Sequence, residues 1–582
     1  MNGKTGPQEQ GRAGARARRS GSPSRGPAYP EGWARRISWS SGTPAVIGHR
    51  ESGDGRPPIA PAPIQAKGGG SLDLSTLAKG GLVSLVGSAA SSLLAFALVV
   101  VITRGLRARG AGVLFEAIAL FTILSNAAEL GADTGLVRTI SRLIALRRSD
   151  DLRPTIRLAL WPVLIAGTVF AVAAWLTAPG LAGVFVHGAS RSQVVSYIRV
   201  LAPFLPLATA TTVLLAGTRG FGTMKPYVFV QNITIPLLRP ILVGLAIFGG
   251  LGAIAVGLAW AAPLALGFVA ALIASGRLLR REEIRGSSGQ PANLPSRLAL
   301  DFWKFSAARG LAGVFAIGML WLDILLVGAL RSAREAGIYA GVIRYIGVGT
   351  FVLGAVAVTI SPQISALIAL NERGRAKDVF QAGTGWLLIP SWPMYVILAV
   401  YAPFFMGLLG REFVAGSTAL EILCLGTLFL IGTGNNKNIL LMAGGSGWNL
   451  AISAFSLGLI ICLDLVLIPR YGINGAAVAY AVTLAADNVL TSVVVFALLR
   501  LHPFSFGYVV VAAGSTLSYA ATGLAARWMI GTNGAGFLVG TVAGTILYLA
   551  LLWAYRGPLQ LTVLRQALQS HGARFVAWSA RA

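Results

Sequence analysis

The sequence predicts an all-α integral membrane protein. It has about 14 transmembrane helices, arranged as two six-helix lobes around a central cavity plus two C-terminal helices. Three observations predict this. Hydrophobic residues make up 55% of the 582 residues and charged residues only 12%, a balance suited to a surface that faces lipid. Fourteen stretches are long and apolar enough to cross a bilayer as helices, at about 20 residues each. Twelve of the fourteen form a set of six that occurs twice.

Taken in order, residues 1–75 are a basic tail without a sustained apolar run; the first 70 carry eleven Lys/Arg and four acids. Such a segment buries too little surface to offset its ordering entropy, so it is expected to be disordered and cytoplasmic. The spans follow at 80–103, 111–132, 157–178, 195–217, 227–248, 252–275, 303–328, 337–368, 384–408, 417–441, 448–468, 474–498, 506–528 and 534–555. Pro203 and Pro206 predict a kink in the fourth span. The eighth is longer than a bilayer requires, which predicts a tilt or a projection. The domains are then an N-lobe at 76–276, a cytoplasmic linker at 277–302, a C-lobe at 303–499, helices 13 and 14 at 500–558, and a cytoplasmic tail at 559–582.

The repeat has three anchors. Ala111-Gly112-Val113 recurs as Ala336-Gly337-Ile338, an offset of 225 that also matches Lys79 with Lys304. Leu215-Ala216-Gly217 recurs as Met442-Ala443-Gly444, an offset of 227. Gly252-Ala253-Ile254-Ala255 recurs as Gly475-Ala476-Ala477-Val478, an offset of 223. Six crossings separate the copies, so both share one topology and a pseudo-two-fold axis along the membrane normal is expected.

Basic residues gather in alternate loops, among them Arg138, Arg142, Arg147, Arg148 and Arg153, then Arg277, Arg280, Arg281 and Arg285. This bias puts both termini in the cytoplasm of a bacterial plasma (inner) membrane, with Arg104-Gly-Leu-Arg107-Ala-Arg109 as the exception. Arg outnumbers Lys 41 to 7, which suits a GC-rich bacterial genome. The net charge of +27 is read as orientation and lipid contact rather than nucleic-acid binding. No phosphate-binding loop, Cys-x-x-Cys or His-Glu-x-x-His occurs, so no catalytic residues, metal site or cofactor are expected and the protein is not expected to be an enzyme. Cys424 and Cys462 lie in apolar spans and read as small core residues.

Several motifs carry a family resemblance. They are Lys79-Gly-Gly, Thr103-Arg104-Gly and Gly110-Ala-Gly-Val-Leu-Phe115 in the first helix pair, and Asp323, Gly328 and Ala336-Gly-Ile-Tyr339 in the seventh and eighth spans. Leu409-Gly-Arg-Glu-Phe413 and Leu467-Ile-Pro-Arg-Tyr-Gly-Ile-Asn-Gly-Ala-Ala477 complete them. With these, residues 75–560 resemble the polysaccharide transporter, or Wzx-like flippase, branch of the multidrug/oligosaccharidyl-lipid/polysaccharide (MOP) exporter superfamily. The resemblance implies two helix bundles around a cavity that opens alternately to each side. It implies a polyprenyl-diphosphate-linked glycan as substrate, moved from the cytoplasmic to the outer leaflet for cell-surface polysaccharide synthesis. The implied partners are the bilayer itself, this lipid-linked glycan, and polymerase or glycosyltransferase assembly proteins. Two extra helices also occur in the lipid II flippase branch, where they help form a groove for a lipid tail. A cation-coupled multidrug exporter, a lipid II flippase and a non-transporting scaffold are the alternative readings.

Ionisable residues inside apolar spans are costly, so they are expected to face a cavity or a partner. Arg239, Arg309 and Arg344 are the candidates for holding a diphosphate, because guanidinium binds phosphate oxygens with two parallel donors; salt bridges or snorkelling are the competing roles. Asp487 and Glu116 are candidates for coupling to Na⁺ or H⁺, or for charge pairing. Asn435, Asn436 and Asn438 are candidates for sugar contacts, or else mark an interfacial helix end. Asp323 and Asp464, near span ends, read as caps or interface residues.

Overall fold

The computed structural model describes residues 74–146, 148–185, 191–286, 296–370 and 372–555. These all belong to one compact unit, Ser71–Ala582. The tails assigned to 1–75 and 559–582 lie almost wholly outside the described residues, as does the middle of the 277–302 linker.

The N-lobe comprises α1 (Leu74–Ala128), α2 (Ala132–Ala145), α3 (Leu152–Phe185), α4 (Arg191–Leu201), α5 (Leu205–Gly220), α6 (Lys225–Tyr227), α7 (Ile235–Phe248) and α8 (Ala253–Gly286). The C-lobe comprises α9 (Ser296–Leu330), α10 (Ala333–Ala369), α11 (Arg373–Val400), α12 (Ala402–Leu409), α13 (Ser417–Gly432), α14 (Asn436–Met442) and α15 (Ser446–Leu499). Two further helices follow, α16 (Phe506–Ile530) and α17 (Gly534–Ala554). Eleven helical segments among the described residues are long and apolar enough to span a bilayer. Two of them contain a break that separates two crossings, at Arg107 in α1 and Gly472 in α15. The 37-residue α10 supplies one more, which gives fourteen.

These breaks respect the repeat. Arg107 corresponds, 225 residues on, to Ser332 in the turn between α9 and α10. Gly472 corresponds, 223 residues back, to Gly249 in the turn between α7 and α8. Prolines locate the remaining interruptions. The chain tightens to a 3₁₀ turn at Ala202–Phe204, where Pro203 and Pro206 predicted a kink. A π-helical stretch, Val228–Thr234, joins α6 to α7. Helices α8 and α9 run further into the expected linker than hydropathy alone indicated. The segment Arg277–Arg285 is built of good helix formers, and Arg153 ties it down through Glu283 at 2.9 Å.

Large apolar side chains cover the outside, Trp528 at 86% exposure and Phe248 at 78% among them, as a lipid-facing surface requires. Helices α16 and α17 pack on each other and outside α11. Tyr401 fastens them by donating to the carbonyls of Gly523 and Gly536, at 3.1 and 2.8 Å.

The lobes meet closely at both ends. At the end that holds the α9–α10 turn, α1 crosses α10 glycine on glycine. A Cβ on Gly112 would stand 1.7 Å from the Ala333 carbonyl oxygen, and one on Gly337 would stand 2.2 Å from that of Ala108. Residues 108 and 112 correspond to 333 and 337 by the repeat offset, so this contact is reciprocal, as a two-fold axis demands. Glu412 clasps the same end, accepting from the Ala108 N–H at 3.3 Å and facing Arg334 at 3.9 Å. At the opposite, basic end, Gly131 and Gly310 bring the α1–α2 bend against α9.

Candidate functional site

A cavity of about 220 Å³ lies between the lobes, lined by α1, α9, α10, α13 and α15. Its walls are mainly apolar, with Phe96 and Trp321 among them. These two residues correspond by the offset of 225, so the repeat places an aromatic ring on each side of the axis. The charged group of the lining is Arg344 of α10, whose guanidinium lies over the Trp321 ring at 4.7 Å.

Arg239 of α7 repeats the arrangement in the N-lobe. Its guanidinium sits 3.9 Å over the Trp260 ring, and its Nε donates to the Trp260 carbonyl at 3.2 Å. Trp260 is itself held edge-on by Phe121, at 5.4 Å between centroids. Arg239 lies close enough to Arg344 to feel its charge. Among the described residues neither forms an ion pair with a carboxylate. Two like charges are thus held in an apolar interior by aromatic faces, with guanidinium edges left to donate. Of the three arginines expected in the cavity only Arg344 lines it: Arg239 stands behind the lining, and Arg309 is exposed on α9, outside it.

Asp487, 2% exposed on α15, already has partners. Lys437 Nζ pairs with its carboxylate at 2.9 Å and Ser456 Oγ donates at 2.8 Å. The asparagines flanking Lys437 serve the same junction: Asn436 Nδ2 donates to Ser492 Oγ and Asn438 Nδ2 to Asn435 Oδ1, both at 2.5 Å. None of the three asparagines lines the cavity at Arg344. They hold the break between α13 and α14 against α15. The polar run 435–438 signalled this cluster, but its lysine was the residue to single out.

Glu116 is 1% exposed, and both its carboxylate oxygens lack a hydrogen-bond partner among the described residues. It presses across the lobe interface onto Gly328 of α9, where a Cβ would fall 2.2 Å from Oε1. Asp323 and Asp464 correct an expectation: both are fully buried and are not interface residues. Tyr339 donates to Asp323 Oδ2 at 2.9 Å, and the two carboxyls face each other. Nearness to a span end indicates depth in the membrane but not which way a side chain points, so burial against α15 escaped the sequence pattern. Cys424 is buried, whereas Cys462 is exposed.

The sequence profile of the polysaccharide biosynthesis protein family matches residues 77–368, half of the chain. The chain belongs to this family. Over 293 residues it is 24% identical to the probable low-salt glycan biosynthesis flippase Agl15 of Haloferax volcanii; the match takes in 49% of this chain and 60% of that protein. The family member is similar in fold to the lipid II flippase MurJ in an inward closed conformation, with TM-score 0.57, 13% identity and coverage of 83% of this chain and 99% of MurJ. It is also similar to an inward-facing multidrug resistance MATE family transporter of the MOP superfamily, with TM-score 0.56, 15% identity and coverage of 74% and 98%. Its fold is therefore that of the multi-pass, all-α MOP transporters.

Proposed function

We propose that this protein moves a polyprenyl-diphosphate-linked glycan across a bacterial plasma membrane by alternating access, for cell-surface polysaccharide synthesis. The observation that carries this reading is the Arg239–Arg344 couple, which has no carboxylate partner among the described residues, each cation resting on a tryptophan inside the membrane. A half-buried cation in an apolar surrounding, with no carboxylate partner among the described residues, is costly, and a diphosphate approaching the two of them supplies the missing charge. The same couple would repel a cationic drug. The family and the glycan flippase relative support the substrate class. With the basic end cytoplasmic, cargo enters there, and the glycosyltransferases and polymerase that make and use it are the implied partners. The proposed activity makes and breaks no covalent bond.

Coupling to Na⁺ or H⁺ is assigned to Glu116 in preference to Asp487. Lys437 already pairs with Asp487, whereas Glu116 is buried, has no hydrogen-bond partner among the described residues and is set across the lobe interface. The Arg239→Gln/Arg344→Gln variant tests the reading: surface glycan export should fall at least about tenfold, the effect of losing one charge-assisted contact of about 1.5 kcal/mol, with membrane insertion intact. Normal export by that variant contradicts it.

A further inference from the structure

A second cavity, of about 470 Å³, lies at the basic end between α2 of the N-lobe and the start of α9. Its size falls within the roughly 300–1,000 Å³ of small-ligand sites. Arg138, Arg142 and Lys304 line it, against a single carboxylate, Asp301. Phe302 and Phe305 form an apolar wall, and the Arg138 guanidinium lies over the Phe305 ring at 4.4 Å. That contact fixes the plane of the guanidinium and leaves its N–H edge to donate.

Two features separate this cluster from ordinary basic residues at a membrane face. Three other cations at this end are matched by acids: Arg148 with Asp151 at 2.5 Å, Arg153 with Glu283 at 2.9 Å and Arg375 with Glu372 at 2.7 Å. Among the described residues Arg138, Arg142 and Lys304 have no such match, although they converge on one cavity. Its two arginines also have no counterpart in the other copy of the repeat, although Lys304 is matched by Lys79. At the offset of 225, Arg138 and Arg142 correspond to Gln363 and Leu367. The arginine pair is thus specific to one seam, where Lys304 of the other lobe joins it.

We propose that this cavity binds the phosphate or diphosphate group of a membrane lipid at the basic face. An excess of cations over one carboxylate, forked donors and an apolar wall beside them suit an anionic head group attached to a hydrocarbon chain. The anion site stands on this geometry alone. Its use as a station that cargo occupies before the central cavity at Arg344 rests on the function proposed above.

The test is calorimetric titration of the full-length protein in phosphatidylcholine nanodiscs. One arm uses farnesyl diphosphate, a short prenyl diphosphate, and the other dioctanoyl phosphatidylglycerol. Arg138→Gln/Lys304→Gln should weaken binding about tenfold, whereas Arg157→Gln/Arg277→Gln, with the same charge change at exposed positions outside the cavity, should stay within about twofold. Arg138→Lys/Lys304→Arg should restore most of the binding and show that charge, not folding, was lost. Loss confined to farnesyl diphosphate identifies a cargo site, and loss of both ligands identifies a general phospholipid site; either supports the proposal. Equal weakening in the control pair, or none in the cavity pair, overturns it. The Arg239→Gln/Arg344→Gln variant separates the two readings. If only the central reading fails, that variant binds like the wild type while the cavity pair does not; if only this one fails, the pattern reverses.

Discussion

Replacing Gly112 by alanine tests whether the glycine crossing of α1 and α10 holds the lobes together opposite the basic end. The new Cβ would meet the Ala333 carbonyl oxygen at 1.7 Å, backbone that no rotamer change can move aside. Restoring an ordinary 3.4 Å contact opens the crossing by roughly 1.7 Å. Gly337→Ala, at 2.2 Å from the Ala108 carbonyl, needs roughly 1.2 Å. Overpacking of this kind costs about 1–3 kcal/mol in the closed arrangement, which moves a two-state equilibrium about 5- to 150-fold. The assay is pulsed electron paramagnetic resonance between spin labels at Arg107→Cys and Ser332→Cys, with Cys424 and Cys462 replaced by alanine. These labels sit at repeat-related turns beside the crossing. The expected result is growth of a longer-distance population, larger for Gly112→Ala than for Gly337→Ala. Gly180→Ala is the control, since a Cβ there meets nothing within 4 Å. Distances for Gly112→Ala that match this control in a stably folded protein would refute the reasoning.

Two further outcomes follow from the buried charges. Lys437→Met leaves the Asp487 carboxylate buried without its cation, and thermal unfolding should show a loss of about 1–3 kcal/mol, below the range for a fully enclosed pair because Lys437 is half-exposed. Lys437→Met/Asp487→Asn should recover most of that loss. Glu116→Gln should leave substrate binding within about twofold while removing the response of transport in proteoliposomes to an imposed Na⁺ or H⁺ gradient. A gradient response equal to the wild type would take Glu116 out of the coupling role.

What the sequence made legible depends on what a one-dimensional pattern carries. Hydropathy shows how deep a residue lies, so it located the fourteen crossings. The repeat was readable because Ala111-Gly112-Val113 and Ala336-Gly337-Ile338 meet backbone to backbone, a contact that admits only glycine. Pattern does not show direction around a helix that is apolar on every side. Arg309 and Arg344 therefore looked alike, yet one is exposed and the other lines the cavity. For the same reason Asp323 and Asp464 passed for interface residues, and the Lys437–Asp487 pair, fifty positions apart, was invisible before folding. The cations at Arg138, Arg142 and Lys304 read as orientation signals, and only the meeting of α2 with α9 gathers them around one cavity.

The central claim is that the cavity between the lobes, with Arg344 in its wall and Arg239 behind it, carries a diphosphate-linked glycan across the membrane. Its most direct test is mass spectrometry of the lipid extract from cells depleted of the protein and complemented with either the wild type or Arg239→Gln/Arg344→Gln. The account predicts accumulation of a polyprenyl-diphosphate oligosaccharide and loss of the matching surface glycan, corrected by the wild type and not by the variant. An unchanged lipid pool on depletion, or full correction by the variant, would contradict it.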